Sequence, residues 1–179
     1  NTLKHLKYIV ILVSLNISIC AKAQDTVRIE QLYEENKMIY KRSDYSRFTG
    51  VAQVVRKNGH LVYQEVIDDG VIQESYAYYA GKKKRLANKI IYHRYKLAVP
   101  KKGYYYPKRG TWHVIEYHDE KGSVIFQEQF DQDTLTYSCQ FLNDKKHGLE
   151  MCYDDDGNKL FFEYVDGKKK DPSKTDKIK

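Results

Sequence analysis

The chain has 179 residues, with hydrophobic residues at 41% and charged residues at 31%, and only three Pro and ten Gly. These values exclude a wholly disordered, collagen-like or low-complexity chain, and the length allows one domain with appendages. The formal net charge of +7 sits at the two ends: residues 1–23 carry three Lys and no acid, residues 168–179 carry six Lys and two Asp, and 24–167 balance 22 bases against 22 acids. A nucleic-acid binder holds its excess charge on the folded face, so no nucleic acid is expected as a partner.

The first predicted element is a targeting segment. Lys4, His5 and Lys7 precede the apolar run Tyr8 to Ile19, and Ala21-Lys22-Ala23 has the small-x-small form of a cleavage site. Residues 1–23 thus read as a secretory signal peptide, too short in its apolar run to span a bilayer. The expected mature protein starts near Gln24 and is exported to the periplasm, the cell envelope or the medium. Residues 24–47 read as an N-terminal helix and linker: Ile29, Leu32, Tyr33, Met38-Ile39 and Tyr40 recur at roughly helical spacing over 25–42, Asp25 and Thr26 suit its start, and Lys41-Arg42 suit its end.

From Phe48 the pattern is β. Runs over 51–56, 61–67, 71–79, 89–96, 111–118, 123–130, 134–142, 149–153 and 159–165 alternate with turns at Asn58-Gly59, Asp69-Gly70, Lys121-Gly122, the stretch 143–148 and Asp156-Gly157. The 17 tyrosines suit half-buried strand surfaces. Glycines recur at nine to twelve residues, which predicts repeated hairpins each burying a face against its neighbour. From Lys168 the apolar pattern ends, and 168–179 read as a disordered Lys-rich tail.

Within this stretch the charges segregate. Residues 81–109 hold eleven Lys or Arg and no acid, and 110–167 hold thirteen acids and four bases. Either the blocks neutralise each other in the fold, or the basic block faces an acidic partner, a phosphate-rich surface or anionic lipid. Lys82, Lys83, Lys84 and Arg85, with Tyr104-Tyr105-Tyr106, Lys108 and Arg109, form the most interface-like patch: Tyr is enriched at binding hot spots, and cations beside rings add cation–π attraction.

Chemistry is sparse. No G-x-S-x-G, Walker or dinucleotide glycine motif occurs. His113 and His118 fall on opposite faces of one strand. Asp154-Asp155-Asp156-Gly157-Asn158 lacks the glycine and glutamate of a calcium loop at the required positions. Glu116, Glu128 and Glu163 are the carboxylates a glycosidase could pair, but isolated Glu on a strand ordinarily faces solvent. No enzyme, metal or cofactor is expected. In an exported protein Cys139 and Cys152 could bridge, since a register pairing Leu142 with Leu149 also pairs the two cysteines; otherwise they are free, partly buried thiols.

Tyr137-x-x-x-Phe141-x-Asn143-x-Lys145-x-His147-Gly148 resembles the core of a MORN repeat, with Cys139 and Asp144 standing where that repeat usually has Gly. The unit Gly148, Tyr153, Asp156-Gly157, Leu160, Tyr164, Asp166-Gly167-Lys168 is similar to the MORN-variant repeats of bacterial proteins of the YwqK-family antitoxin type. Gly110-Thr111-Trp112 with Tyr117, and Phe48-Thr49-Gly50 with Asn58-Gly59, Leu61 and Asp69-Gly70, resemble further units. The resemblance covers about 48–168, with 81–109 departing from it as a basic, Tyr-rich insert. It implies an extended antiparallel sheet of hairpins over 48–167 and a role in binding other proteins or membranes. In an exported protein, that role would be envelope immunity, scaffolding or adaptation. The expected activity is non-enzymatic protein binding; the alternative is peripheral attachment to anionic membrane through the insert and tail.

Overall fold

A computed structural model describes residues 25–81 and 83–170. The signal-peptide reading, Lys82 and most of the C-terminal tail lie outside the described residues. In chain order the elements are Thr26–Arg28 (β1), a 3-10 turn at Ile29–Gln31, Leu32–Glu35 (β2), Met38–Lys41 (β3), Gly50–Val55 (β4), Leu61–Asp68 (β5), Val71–Tyr79 (β6), Arg85–Tyr92 (β7), Pro100–Tyr105 (β8), Trp112–His118 (β9), Val124–Asp131 (β10), Thr134–Leu142 (β11), Lys145–Tyr153 (β12), Lys159–Val165 (β13) and Lys168–Lys169 (β14).

Twelve strands form one sheet in the order β1-β4-β5-β6-β7-β8-β9-β10-β11-β12-β13-β14, and β2 and β3 make a separate hairpin. From β4 onward every pairing is antiparallel between consecutive strands; β1 alone runs parallel, to β4. The β-rich fold and its hairpin plan are therefore as the sequence implies.

The turns explain the regularity. Three five-residue loops, 56–60, 119–123 and 154–158, share one closure: the first amide donates to the fifth carbonyl and the fourth amide to the first carbonyl. The fourth residue is Gly59, Gly122 or Gly157, at φ +79°, +91° and +81°, a conformation that glycine adopts without steric cost. Tighter two-residue turns at Asp69-Gly70 and Asp166-Gly167 have both residues at positive φ, the mirror-image turn whose twist matches the strands.

Three readings are corrected. The expected helix over 25–42 is instead β1, a 3-10 turn and the β2–β3 hairpin. Its turn is Asn36-Lys37, at φ +52° and +62°, and across it Tyr33 stacks on Tyr40 at 5.4 Å between ring centroids. Leu32 and Ile39, read as one helical stripe, come one from each strand and both enter the core. Residues 85–105 are not an insert within the ladder but its next hairpin, β7–β8, paired on both sides. Lys168 and Lys169, expected at the start of a disordered tail, instead form β14 and pair with Val165 and Tyr164.

Cross-strand partners share a face, so the register defines a line of side chains across the sheet: Ala52, Glu65, Ser75, Ile90, Gly103, Glu116, Gln127, Cys139, Glu150 and Phe162. This is the front face. Among the described residues, only its N-terminal end has a second layer. There the β2–β3 hairpin and Phe48 close over β4–β6, burying Leu32, Ile39, Phe48, Ala52 and Ile67, with Val27, Ile29 and Ile72 packed against them. Backbone bonds from Ile39 to the Gly70 carbonyl and from Gly70 to the Phe48 carbonyl, both 2.8 Å, pin the hairpin there. Farther along, tyrosines lie over the front line: a Cβ on Gly103 would sit 2.8 Å from the Tyr105 ring, which is why a side-chain-free residue stands in mid-strand.

The register also separates the cysteines. Cys139 faces Glu150, not Cys152, because β12 bulges around Gly148, shifting the pairing from Cys139↔Glu150 to Phe141↔Lys146. Gly148 takes φ +92°, and Gln140 Oε1 accepts from the Leu149 amide at 2.9 Å; a Cβ on Gly148 would collide with that oxygen at 2.0 Å. The disulfide is therefore not formed: Cys139 is a buried free thiol and Cys152 a half-buried one. Burial pushes the Cys139 thiol up, and the thiol rather than the thiolate is unreactive. Under native conditions without reductant, maleimide is expected to modify Cys152 about 100-fold faster than Cys139, because the buried thiol reacts only through opening. Peptide mapping before and after denaturation reads this directly, and an unlabelled pair after denaturation would mean a bridge.

Candidate binding surface

Because the strands meander, alternate turns fall at alternate ends of the sheet. One end carries residues 56–60, 80–84, 106–111, 132–133 and 154–158; the other carries 69–70, 93–99, 119–123, 143–144 and 166–167. The two ends treat their charges differently. At the second, Arg94 pairs with Asp68, Lys96 with Glu120, and Arg47 with Asp69, while Lys121 and Lys145 have no carboxylate partner among the described residues. At the first, Arg56, Lys57, Lys83, Lys84, Arg85, Lys108 and Arg109 are exposed, and none has a carboxylate partner among the described residues.

The expected patch is thus brought together only in part. The turns holding Lys83-Lys84 and Lys108-Arg109 are neighbours, tied by the Arg85 guanidinium, which donates to the carbonyls of Lys108 and, at 3.0 Å, Pro107. Tyr104 and Tyr105 are consecutive in β8 and point to opposite faces. Tyr106 follows β8, stacking on His113 (5.6 Å), which stacks in turn on Phe130 (5.2 Å). Sequence reasoning missed Arg56 and Lys57, which the first long hairpin loop adds to the same end, and Trp112, 43% exposed beside this stack. The signal for Arg56 and Lys57 was available in the meander: turns two hairpins apart in sequence share an end.

Two clefts open along this end. One, of about 530 Å³, is lined by Arg56, Asn58, Gly59, His60 and Gly81. The other, of about 420 Å³, is lined by Arg85, Leu86, Tyr106, Pro107, Gly110, Thr111 and Trp112. The end then changes sign, since the last two turns hold Asp133 and Asp154-Asp155-Asp156. The Asp154 carboxylate is engaged by its own loop, accepting from the Asp156 and Asn158 amides, and bonds from Asn158 hold it below the usual carboxylate range.

The two faces also differ. On the back face lysines lie among tyrosine rings. Lys84 sits 4.6 Å from the Tyr78 centroid, and Lys102 sits 4.9 and 4.6 Å from those of Tyr104 and Tyr117. Lys89 is 3.2 Å from Glu74 and 5.2 Å from the Tyr76 ring. Burial works against the Lys102 charge, but the Tyr104 and Tyr117 hydroxyls outweigh it and raise its pKa.

The front face places carboxylates among tyrosines: Tyr63 donates to Glu65 at 2.8 Å, Tyr137 to Glu150 at 3.0 Å, and Gln127 to Glu116 at 3.1 Å. Burial, then Glu116, pushes the Tyr105 hydroxyl up to about 12. Burial also raises the Glu65 carboxyl.

Comparison with protein-family models finds none that matches, and comparison with curated proteins finds no significant match. What the surface does must be read from its own chemistry.

Glu116 is on the front face and Glu128 on the back, each held by a partner on its own face: Gln127 for Glu116 and the Tyr117 hydroxyl (2.8 Å) for Glu128. His118 donates Nδ1 to the Gly122 carbonyl at 3.0 Å and lies 3.8 Å from Glu116, while His113 is stacked on the opposite face. Among the described residues no cluster of three or more His, Cys, Asp or Glu is arranged to hold a metal.

Proposed function

We propose that the protein is a non-enzymatic binding module that takes an acidic segment of another protein along its cationic end and the adjoining tyrosine–lysine back face. The observation that carries this reading is the set of seven exposed cations on three neighbouring turns with no carboxylate partner among the described residues, whereas Arg47, Arg94 and Lys96 at the opposite end are ion-paired. Like charges held together without counter-charges cost stability, and a partner's carboxylates would relieve that cost. The Trp112–Tyr106 cleft and the ring-flanked lysines supply the aromatic anchors that dominate recognition energetics. A resemblance to MORN-variant repeats agrees with a hairpin sheet used for binding, in an exported setting as an envelope immunity protein, scaffold or adaptor.

The second reading is attachment to anionic membrane by the same cations, each worth about 1 kcal/mol near such a surface. A charge-reversed variant tests the role of these cations, and vesicle flotation separates the two readings. Reversing Lys83, Lys84, Lys108 and Arg109 to Glu, all exposed, leaves folding intact. It is expected to abolish capture of the partner in in-cell crosslinking, and to weaken the isolated complex at least about tenfold at low salt. Capture unchanged by the reversal would sink the proposal. Co-flotation with phosphatidylserine vesicles that disappears at high salt would favour the membrane.

A further inference from the structure

We propose that the back face of β11–β13 is a self-association surface that packs face to face on the same strands of a second copy of this chain. The register puts Leu149, Met151 and Tyr153 of β12 beside Glu163, Phe161 and Lys159 of β13, so all six share the back face. Apolar side chains there are left in water: Phe161 is 61% exposed, Leu149 54%, Val165 39% and Tyr153 38%. They cluster at the C-terminal end of the sheet, with Met151 buried at their centre.

Two features name a second copy as the occupant. Along β13 the back face reads Lys159, Phe161, Glu163. Antiparallel stacking about a two-fold axis through Phe161 sets each copy's Lys159 over the other's Glu163, a carboxylate that its own chain's Lys170 approaches at 2.6 Å and that would then bridge the two ammoniums, and Phe161 against its own counterpart. The patch is thus complementary in charge and apolarity to itself, as an isologous interface requires. Its size also fits. These side chains leave roughly 400 Å² of apolar surface per copy, within the range of the largest patches on monomers. Two copies with their polar rims approach the ~1,200 Å² at the lower bound of specific association. Sheets pack face to face about 10 Å apart with strands nearly aligned, and a twofold pair of β11–β13 meets that geometry. It would supply at the C-terminal end the second layer that β2–β3 supplies at the N-terminal end.

Sedimentation of the purified protein tests this over about 1 µM to 1 mM, the range where an interface at that lower bound dissociates. A concentration-dependent dimer is expected. Phe161→Ser, and separately Leu149→Ser, should raise its dissociation constant at least tenfold. Both side chains are more than half exposed, and unchanged thermal melts of the dilute variants confirm that the fold is kept. Lys159→Glu should weaken the dimer, and Lys159→Glu combined with Glu163→Lys should restore it. Association through any other part of the chain, the apolar N-terminal stretch included, would ignore Phe161. A monomer at every concentration overturns the proposal, as does a dimer indifferent to Phe161 or a double variant no tighter than the single. A monomer that dimerises only after removal of residues 171–179 would place the chain's own tail on the patch, also overturning it. Because the cationic end lies elsewhere on the molecule, its charge-reversed variant should still dimerise, so either reading can fail alone.

Discussion

Phe48→Ala is expected to destabilise the protein by about 3–5 kcal/mol, the usual cost of emptying a buried aromatic site. Phe48 is fully buried and joins the β2–β3 hairpin to β4–β6, where its own carbonyl and amide bond Gly70 and Ile39. The loss should exceed that of any other single truncation, because this is the chain's principal two-layer core. A domain stabilised by some 5–15 kcal/mol has little in reserve, and each kcal/mol lowers the midpoint by roughly 2–4 °C at this size. A calorimetric midpoint reduced by about 10 °C is therefore expected. A fall of only a degree or two would mean that the hairpin does not anchor the sheet.

The second large effect is at Glu150. This carboxylate is 5% exposed and receives the Lys146 ammonium and the Tyr137 hydroxyl. Burial pushes its pKa up, but the bonds from Lys146, Tyr164 and Tyr137 together outweigh burial and hold it below the ordinary glutamate value. Glu150→Ala leaves the Tyr137 and Tyr164 hydroxyls without their acceptor, while the Lys146 side chain, 37% exposed, can turn to water, so it should cost about 1–3 kcal/mol. Glu150→Gln keeps an acceptor and should cost less.

A carboxyl with a depressed folded-state pKa contributes stability that is complete above its unfolded value and is lost as pH falls through the folded value. The gap between wild type and Glu150→Gln in urea melts should therefore be widest at neutral pH. It should narrow below about 4.3, the ordinary glutamate value, and close at the lower folded value. A gap that widened in acid would contradict the arrangement described.

Most of the β ladder was legible because its turns carry glycine. Val71–Tyr79, Thr134–Leu142 and Lys159–Val165 coincide with the strands as read, each bounded by at least one Asp- or Asn-bearing turn that accepts positive φ. Two turns without glycine depart from the reading, although Gln132-Asp133, also without glycine, agrees with it. Asn36-Lys37 and Asn143-Asp144 are both positive-φ pairs without glycine. The first was hidden inside an apparent helical stripe. The second was read as part of a longer loop, so that β12 was started at Leu149 instead of Lys145.

β8 was missed because Pro100, Lys101, Lys102 and Gly103 have poor strand preference, and the ladder on both sides overrides them. The candidate surface was legible as a charge block but not as a sorted one. Lys89, Arg94 and Lys96 belong to the same block as Lys83 and Lys108, and only the fold gives the first three acidic neighbours. Local composition cannot say which end of a meander a turn will reach.

The strand order has a kinetic consequence. From β4 to β14 each strand pairs with the one just before it in the chain, so no pairing waits for a segment yet to be synthesised. Each closure spans one short turn, where the entropic cost of joining ends is smallest, and local topologies of this kind fold quickly. A chain emerging N-terminus first, from a ribosome or across a membrane, can complete the Phe48 core early and then add hairpins one at a time, never exposing a long unpaired strand for others to capture.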